Sequence, residues 1–436
     1  MLTYFTCYLL NFPSQALRIM RLPNSGADNS SIYPTLTHLG HAFYKNKELE
    51  PAAESYLESF NIQASIVIGE ANHDFDGFSK KISSIEDEIL SLEQSGDDIS
   101  ELSSALGGIA NILRYMGLVN QELGEFEQAL YVNKLSLSVR LLQPFKDYSA
   151  IALMAETIAM FEFKLKNFAK ALDYFNQALT AKKEYQGDVT IDVARTVNNL
   201  ANIHFSLGNL DEAMELYQEA LEIKKRCLGE DSDDVVNTLK NIAQVMVKAG
   251  KEQEAVEAYQ SIVKIRQERY GRNHVSVAET LASMGDVYIK LGELDVAMTY
   301  FEQSINIQKS QEDGGTCDER ILENLGSIYG KLGQWQKAES TFQEIVQIKR
   351  MEHGEDYLGV ARTLDLLAVS YIEQERSSES IEHLKEALRI RKVCLDADDD
   401  EILASLNKLA FVYKSLDMSN EMQAIKSEYE AIQRGK

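Results

Sequence analysis

Side chains able to do chemistry are scattered rather than clustered along this 436-residue chain. His38 and His41 stand three apart, a helical spacing at which two imidazoles can share a metal ion, but no further His or Cys lies near them in sequence. The plainer reading is a pair of exposed polar residues. Gly250-Lys251 and Gly330-Lys331 lack the glycine five residues before the second Gly that a phosphate-cradling loop requires. Acidic side chains are so frequent that no carboxylate pair stands out as acid and base. No catalytic constellation, cofactor site or metal site emerges. What does recur is amide: Asn199, Asn241 and Asn324 hold one phase of a repeat. Amides both donate and accept, so a row of them can hold an extended backbone without demanding its sequence, the alternative being a solvated face. Lys45, Lys164, Lys248, Lys290 and Lys331 form a second row, each two residues before a turn. A cation there is accounted for by the dipole of the helix it ends, and an acid-recognising rim is the alternative.

The elements that position these residues follow a 42-residue beat. Leu200, Ile242 and Met284 are 42 apart, and so are Gly208, Gly250 and Gly292, then Ala213, Ala255 and Ala297. Each copy holds two helix-period apolar stripes separated by a turn, "LGNLDEA" in the copy beginning near Val193. Neither helix can bury its apolar face alone, but stacked copies cover one another. Small residues stand seven positions ahead of each inter-helix turn residue, as at Gly40, Gly117, Ala201, Ala243, Gly285 and Gly326. The second helix opens on alanine and carries a ring four residues later: Ala213 with Tyr217, Ala255 with Tyr259, Ala297 with Phe301. Small against large at this spacing suits antiparallel helices packed closely. Trp335 occupies the slot that opens a second helix and is expected to pack in the core.

With "NNLA" at 198–201, "IYGKLGQWQKAE" at 328–339, "ALEIKKRCLGED" at 220–231 and "ALRIRKVCLD" at 387–396, residues 100–434 resemble the tetratricopeptide repeat. Ordinary members repeat about every 34 residues, and the 42-residue form is similar to that of kinesin light chains. The resemblance implies an all-α, right-handed superhelical α-solenoid of about nine helix pairs, with first helices lining a concave groove. It then places Asn199, Asn202, Asn241, Gln244, Ser283, Asp286, Asn324 and Ser327 in that groove as peptide-contacting residues. The family's clamp for chaperone carboxyl termini is not met: Asn198, Asn202, Asn241, Glu279 and Ser283 fall at its positions, without its cations.

The expected organisation is a cap or leader over 1–32, a first repeat over 33–69, a degenerate repeat or acidic amphipathic insert over 70–105, and a continuous array of about eight repeats over 106–434. Ile82, Ile85, Ile89 and Leu92 form one apolar stripe within the insert. Gly187, Gly229, Gly271 and Gly354 punctuate the joints, where a left-handed residue is expected to stop each helix. The net charge of −24, from 44 basic against 68 acidic residues, disfavours phosphate backbones and anionic membranes and suits neutral or basic protein segments. No apolar run approaches the ~20 residues of a membrane span. Cys7, Cys227, Cys317 and Cys394 show no paired spacing and read as reduced thiols of a cytoplasmic protein. Residues 1–27 lack any acid and carry Arg18 and Arg21, which leaves an organelle presequence as the alternative.

These features imply a non-enzymatic adaptor or scaffold that binds partner peptides, without a cofactor and without nucleic acid. The kinesin-light-chain resemblance favours cargo or scaffold work, although no heptad run precedes the repeats. A peptide-sensing regulator whose superhelix changes on binding is the second reading, and an enzyme with a site invisible in sequence is the third.

Overall fold

In the computed structural model, residues 29–68, 75–95, 98–311 and 317–435 are described; the leader call over 1–27, with Arg18 and Arg21, and Cys7 lie outside them. All of the regular structure described is helical, in nineteen helices. The chain divides into two units, Met1–Thr238 and Leu239–Lys436.

The physics of one copy shows why the pairs form. In α8 (Ile191–Leu207) the Thr190 hydroxyl caps the start by accepting from the Val193 N–H at 3.3 Å, and Val193, Ala194, Val197, Leu200 and Ala201 bury one face. Gly208 then takes the left-handed conformation, φ 85° and ψ 7°. The Asn209 N–H closes the end by donating to the His204 carbonyl at 2.9 Å. The chain reverses into α9 (Leu210–Leu228), with Asp211 and Glu212 in its first turn and Lys225 and Arg226 in its last, each sign matched to the helix dipole.

The first unit contains α1 (Asn29–Lys45), α2 (Leu49–Ile68), α3 (Phe75–Ser95), α4 (Ser100–Leu123), α5 (Phe126–Leu142), α6 (Tyr148–Lys164), α7 (Phe168–Gln186), α8 and α9, and it ends within α10 (Asp233–Lys248). Among the described residues, α1 packs on α2, α4 on α5, α6 on α7 and α8 on α9, and the range 70–105 holds α3 and the start of α4. Helix α2 packs directly on α4, while α3 lies against α5 and α2. It is a single inserted helix, anchored by Phe78, Ile85 and Ile89, with Phe78 and Phe75 set against Phe60 at ring distances of 5.4 and 4.9 Å. The array resumes at Ser100, earlier than expected, in a helix of 24 residues that by length and composition alone could cross a membrane. That corrects the expectation that no run approaches such a length. The apolar residues of α4, among them Ile109, Ile112, Leu113 and Val119, are buried between its neighbours, so its apolarity is that of a core helix.

The second unit continues with α11 (Glu252–Tyr270), α12 (Val275–Leu291), α13 (Leu294–Lys309), α14 (Glu319–Lys331), α15 (Trp335–His353), α16 (Leu358–Glu373), α17 (Ser377–Cys394), α18 (Asp400–Ser415) and α19 (Ser419–Gly435). The match of small to large is literal here. A Cβ added at Gly285 or Gly326 would come within 2.8 Å of the Phe301 or Phe342 ring. The joint glycines differ from expectation: Gly187, Gly229, Gly271 and Gly354 have φ of 81–90° but ψ of 162–175°. That is an extended region open essentially to glycine alone, whereas the left-handed stop belongs to the turn inside each pair.

Candidate functional site

Two positions of each first helix flank its buried apolar residue. The residue just before it runs Ser283, Asn324, Leu366 and Lys408 through α12, α14, α16 and α18, and the residue two after it runs Asp286, Ser327, Val369 and Phe411. The row begins polar and turns apolar at Leu366, Val369 and Phe411, with the charged Lys408 beside them. Leu366, Val369 and Phe411 are exposed, Phe411 by 67%.

Two cavities open along this row. One of about 280 Å3 lies among Ser327, Gly330, Lys331, Trp335, Leu366 and Val369. The next, about 430 Å3, lies among Asp365, Val369, Ile372, Lys408 and Phe411. Val369 borders both, so they follow one another along the helices. Trp335 is half-buried rather than in the core, with its ring edge where a Gly330 Cβ would meet it at 3.1 Å, and it walls the smaller cavity. The floor of the larger is charged: Asp365 Oδ2 accepts from Arg391 at 2.8 Å and Lys408 at 2.7 Å, while its buried Oδ1 has no hydrogen-bond partner.

The eight residues expected in the groove divide by what they touch. Asp286 and Asn324 are brought together: the Asn324 amide donates to Asp286 Oδ1 at 3.0 Å and Arg320 donates to Oδ2 at 2.6 Å. Burial raises the Asp286 carboxyl above its ordinary value against the pull of Arg320. The Ser283 hydroxyl turns back to the Glu279 carbonyl at 3.0 Å. Gln244 and Ser327 are exposed, and Asn241 is half-buried. In the first unit Asn199 is half-buried, and the Asn202 carbonyl accepts from the Tyr217 hydroxyl at 2.5 Å. Burial pushes that phenol up to about 12.

The second helices of both units carry buried cations that sequence reasoning did not single out. Lys182, Lys224, Arg266, Lys349 and Arg391 recur at one phase of the second helices, all buried. Each donates to a hydroxyl fourteen residues on, in the first helix of the next pair: Thr196 at 2.8 Å, Thr238 at 2.8 Å, Thr280 at 2.7 Å, Thr363 at 3.1 Å and Ser405 at 2.8 Å. Four also reach an acceptor 26 residues back, in the first helix of their own pair: Glu156 at 2.7 Å, Asn198 at 3.4 Å, Glu323 at 2.7 Å and Asp365 at 2.8 Å. Each such side chain ties three helices together. Where the acceptor is the neutral Asn198, burial holds Lys224 below its ordinary value. Burial also acts on Lys349, but hydrogen bonds with Glu323 and Glu319 outweigh it and hold that amine above its ordinary value.

Other candidates change character in the structure. Gly330 lies inside α14, so Gly330-Lys331 forms no loop. His41 stacks edge-on between Tyr56 and Tyr115, at ring distances of 5.5 and 4.1 Å, and His38 is exposed. Among the described residues one grouping has metal-type ligands within reach of each other, Glu319, Glu352 and His353, but Glu352 and His353 are exposed and Glu319 is drawn to Lys349 at 3.1 Å. Cys227, Cys317 and Cys394 are free thiols.

Among curated proteins none matches the chain. Similar solved structures include the C-terminal part of a tetratricopeptide repeat protein of Cytophaga hutchinsonii, 17% identical with a TM-score of 0.48, covering 64% of this chain and 95% of that one. A tetratricopeptide repeat protein of Parabacteroides merdae is 14% identical with a TM-score of 0.44, covering 78% and 98%. The tetratricopeptide-like repeats of a provisionally assigned kinesin light chain of Podosopora anserina are 20% identical with a TM-score of 0.30, covering 56% and 96%. The family model for the tetratricopeptide repeat matches residues 148–226, 192–268, 234–310 and 318–393, together more than half of the chain. With that match over more than half of its length, the chain belongs to the tetratricopeptide repeat family.

Proposed function

We propose that this chain is a non-enzymatic, cytoplasmic adaptor that holds an extended protein segment along the first helices of its second unit. One observation carries the reading: the exposed row Leu366, Val369 and Phe411, flanked by two successive cavities of about 280 and 430 Å3. Apolar side chains of a partner fill the cavities, and Asn241, Gln244, Asn324 and Ser327 hold its backbone. The net charge of −24 favours a neutral or basic segment and disfavours nucleic acid. Tetratricopeptide repeats serve in general as protein-interaction scaffolds, and the 42-residue beat supports a cargo or scaffold role of the kinesin-light-chain kind.

The test compares proteins retained from cell extract by the full chain with those retained by two variants of equal helicity. Val369→Ser with Phe411→Ser is expected to lose the specific partners. Gln347→Ser, at an exposed site of α15 away from the row, is expected to keep them. Partners kept by the first variant would refute the groove.

A further inference from the structure

The row of buried cations is broken in charge, though not in position, at its first member. Arg140 of α5 stands 42 residues before Lys182 and is only 5% exposed. The slot 26 residues back, which holds Glu156, Asn198, Glu323 or Asp365 in four other rungs and Lys240 in that of Arg266, holds Arg114. The slot fourteen residues on, a hydroxyl in the other rungs, holds Met154. Arg140 keeps one side-chain hydrogen bond, to Asn111 Oδ1 at 2.6 Å, and its buried Nε has no partner. Arg114 lies over the Tyr115 ring at 4.4 Å and enters no ion pair among the described residues. Asp147, whose charge acts on Arg140, uses its carboxylate to cap α6, accepting from the Ala150 N–H at 3.0 Å. A buried cation facing a like charge, without a carboxylate bonded to it, is costly unless something else supplies the anion.

Both arginines open on one cavity of about 350 Å3, which Asn111, Gln143, Phe145 and Leu153 also line. Phe145 is 75% exposed, and Leu153 is exposed beside it. We propose that this cavity binds the carboxylate of an acidic residue in a partner protein, with an adjoining apolar side chain against Phe145 and Leu153. Arg114, Arg140 and Asp147 together leave one net positive charge, which a monoanion balances and a dianion overshoots. Guanidinium forks match the planar carboxylate. The site lies in the first unit and takes the opposite charge class from the row in the second, so it stands or falls independently of that row.

The test measures the melting temperature of the full chain with N-acetyl-phenylalanyl-aspartyl amide and with its asparaginyl counterpart. The aspartyl probe, at about ten times its dissociation constant, is expected to raise it by about 1.5 °C and the asparaginyl probe to leave it unchanged. Arg114→Glu rebuilds the acid and cation pairing of the Glu156–Lys182 rung, so it should raise the melting temperature without any probe and abolish the aspartyl response. Arg114→Gln should weaken that response about tenfold, the loss expected of one charged hydrogen bond. Equal responses to the two probes, or an Arg114→Glu protein that is less stable or still responds, would overturn the proposal. Inorganic phosphate stabilising more than the aspartyl probe would show a small-dianion site and overturn it too.

Discussion

Replacing Asp365 by alanine tests whether the buried rungs hold the second unit together. The Asp365 side chain is 10% exposed and that of Arg391 5%, so their 2.8 Å contact is screened from water. Removing one member of such a pair costs about 3–5 kcal/mol, because the other stays buried and charged. Arg391 would retain Glu401 at 3.2 Å and the Ser405 hydroxyl at 2.8 Å, which puts Asp365→Ala near the low end, about 3 kcal/mol. Arg391→Met should cost less, about 2 kcal/mol, since Lys408 still reaches Asp365 at 2.7 Å. In the double variant no buried charge is stranded. Its cost should be about 3 kcal/mol rather than the sum of about 5, a coupling of about 2 kcal/mol. Urea unfolding followed by Trp335, the single tryptophan, reports locally because α15 packs directly on α16. A cost for Asp365→Ala below about 1 kcal/mol, or a double variant equal to the sum, would refute the reasoning.

Three further outcomes follow from the same geometry. Gly285→Ala pushes a methyl to 2.8 Å from the Phe301 ring and should destabilise by about 1–3 kcal/mol in urea, whereas Ala243→Gly at the same slot only loses a methyl. Gly229→Ala forces a side chain onto φ 86° and ψ 164° and should cost about 1–3 kcal/mol, while Glu375→Gly relieves a non-glycine at φ 60° and should stabilise by up to about 1 kcal/mol by thermal melting. Lys349 is held above its ordinary value, so its contribution is complete below the unfolded value near 10.5 and is lost as pH rises through the folded one. Stability at alkaline pH should therefore fall more steeply in the parent chain than in Lys349→Met, and identical slopes would count against the rung.

The helix pairs were legible because the features that make them are local and periodic. Ala213 and Tyr217 fall four apart on one helix face, and Gly208 follows the last buried turn of α8, so neighbouring residues suffice to read them. Helix α3 was only half legible. One amphipathic stripe looks the same whether it belongs to a degraded pair or to a lone inserted helix, and the direct contact of α2 with α4 decides between them. The buried cations stayed hidden for a different reason. In "IKKRC" three cations adjoin, all compatible with a helix C-terminus, and only helix phase turns Lys224 inward while Lys225 and Arg226 stay out. Leu366, Val369 and Phe411 do not stand out in the sequence, because an apolar residue at helical spacing is normally buried, yet they are exposed and border the open cavities. The amides gave the phase of the row but not its state, since Asn202 and Asn324 are already engaged by Tyr217 and Asp286.

The most direct measurement is photo-crosslinking from single benzoylphenylalanine positions in the full chain incubated with cell extract. Placed at Leu366, beside the smaller cavity, the probe is predicted to crosslink one recurrent protein segment, and excess Val369→Ser, Phe411→Ser protein should fail to compete for it. Placed at Gln347, it should give no such product. Equal crosslinking from both positions, or none from Leu366 while partners are still retained, would contradict a protein-binding row on the first helices.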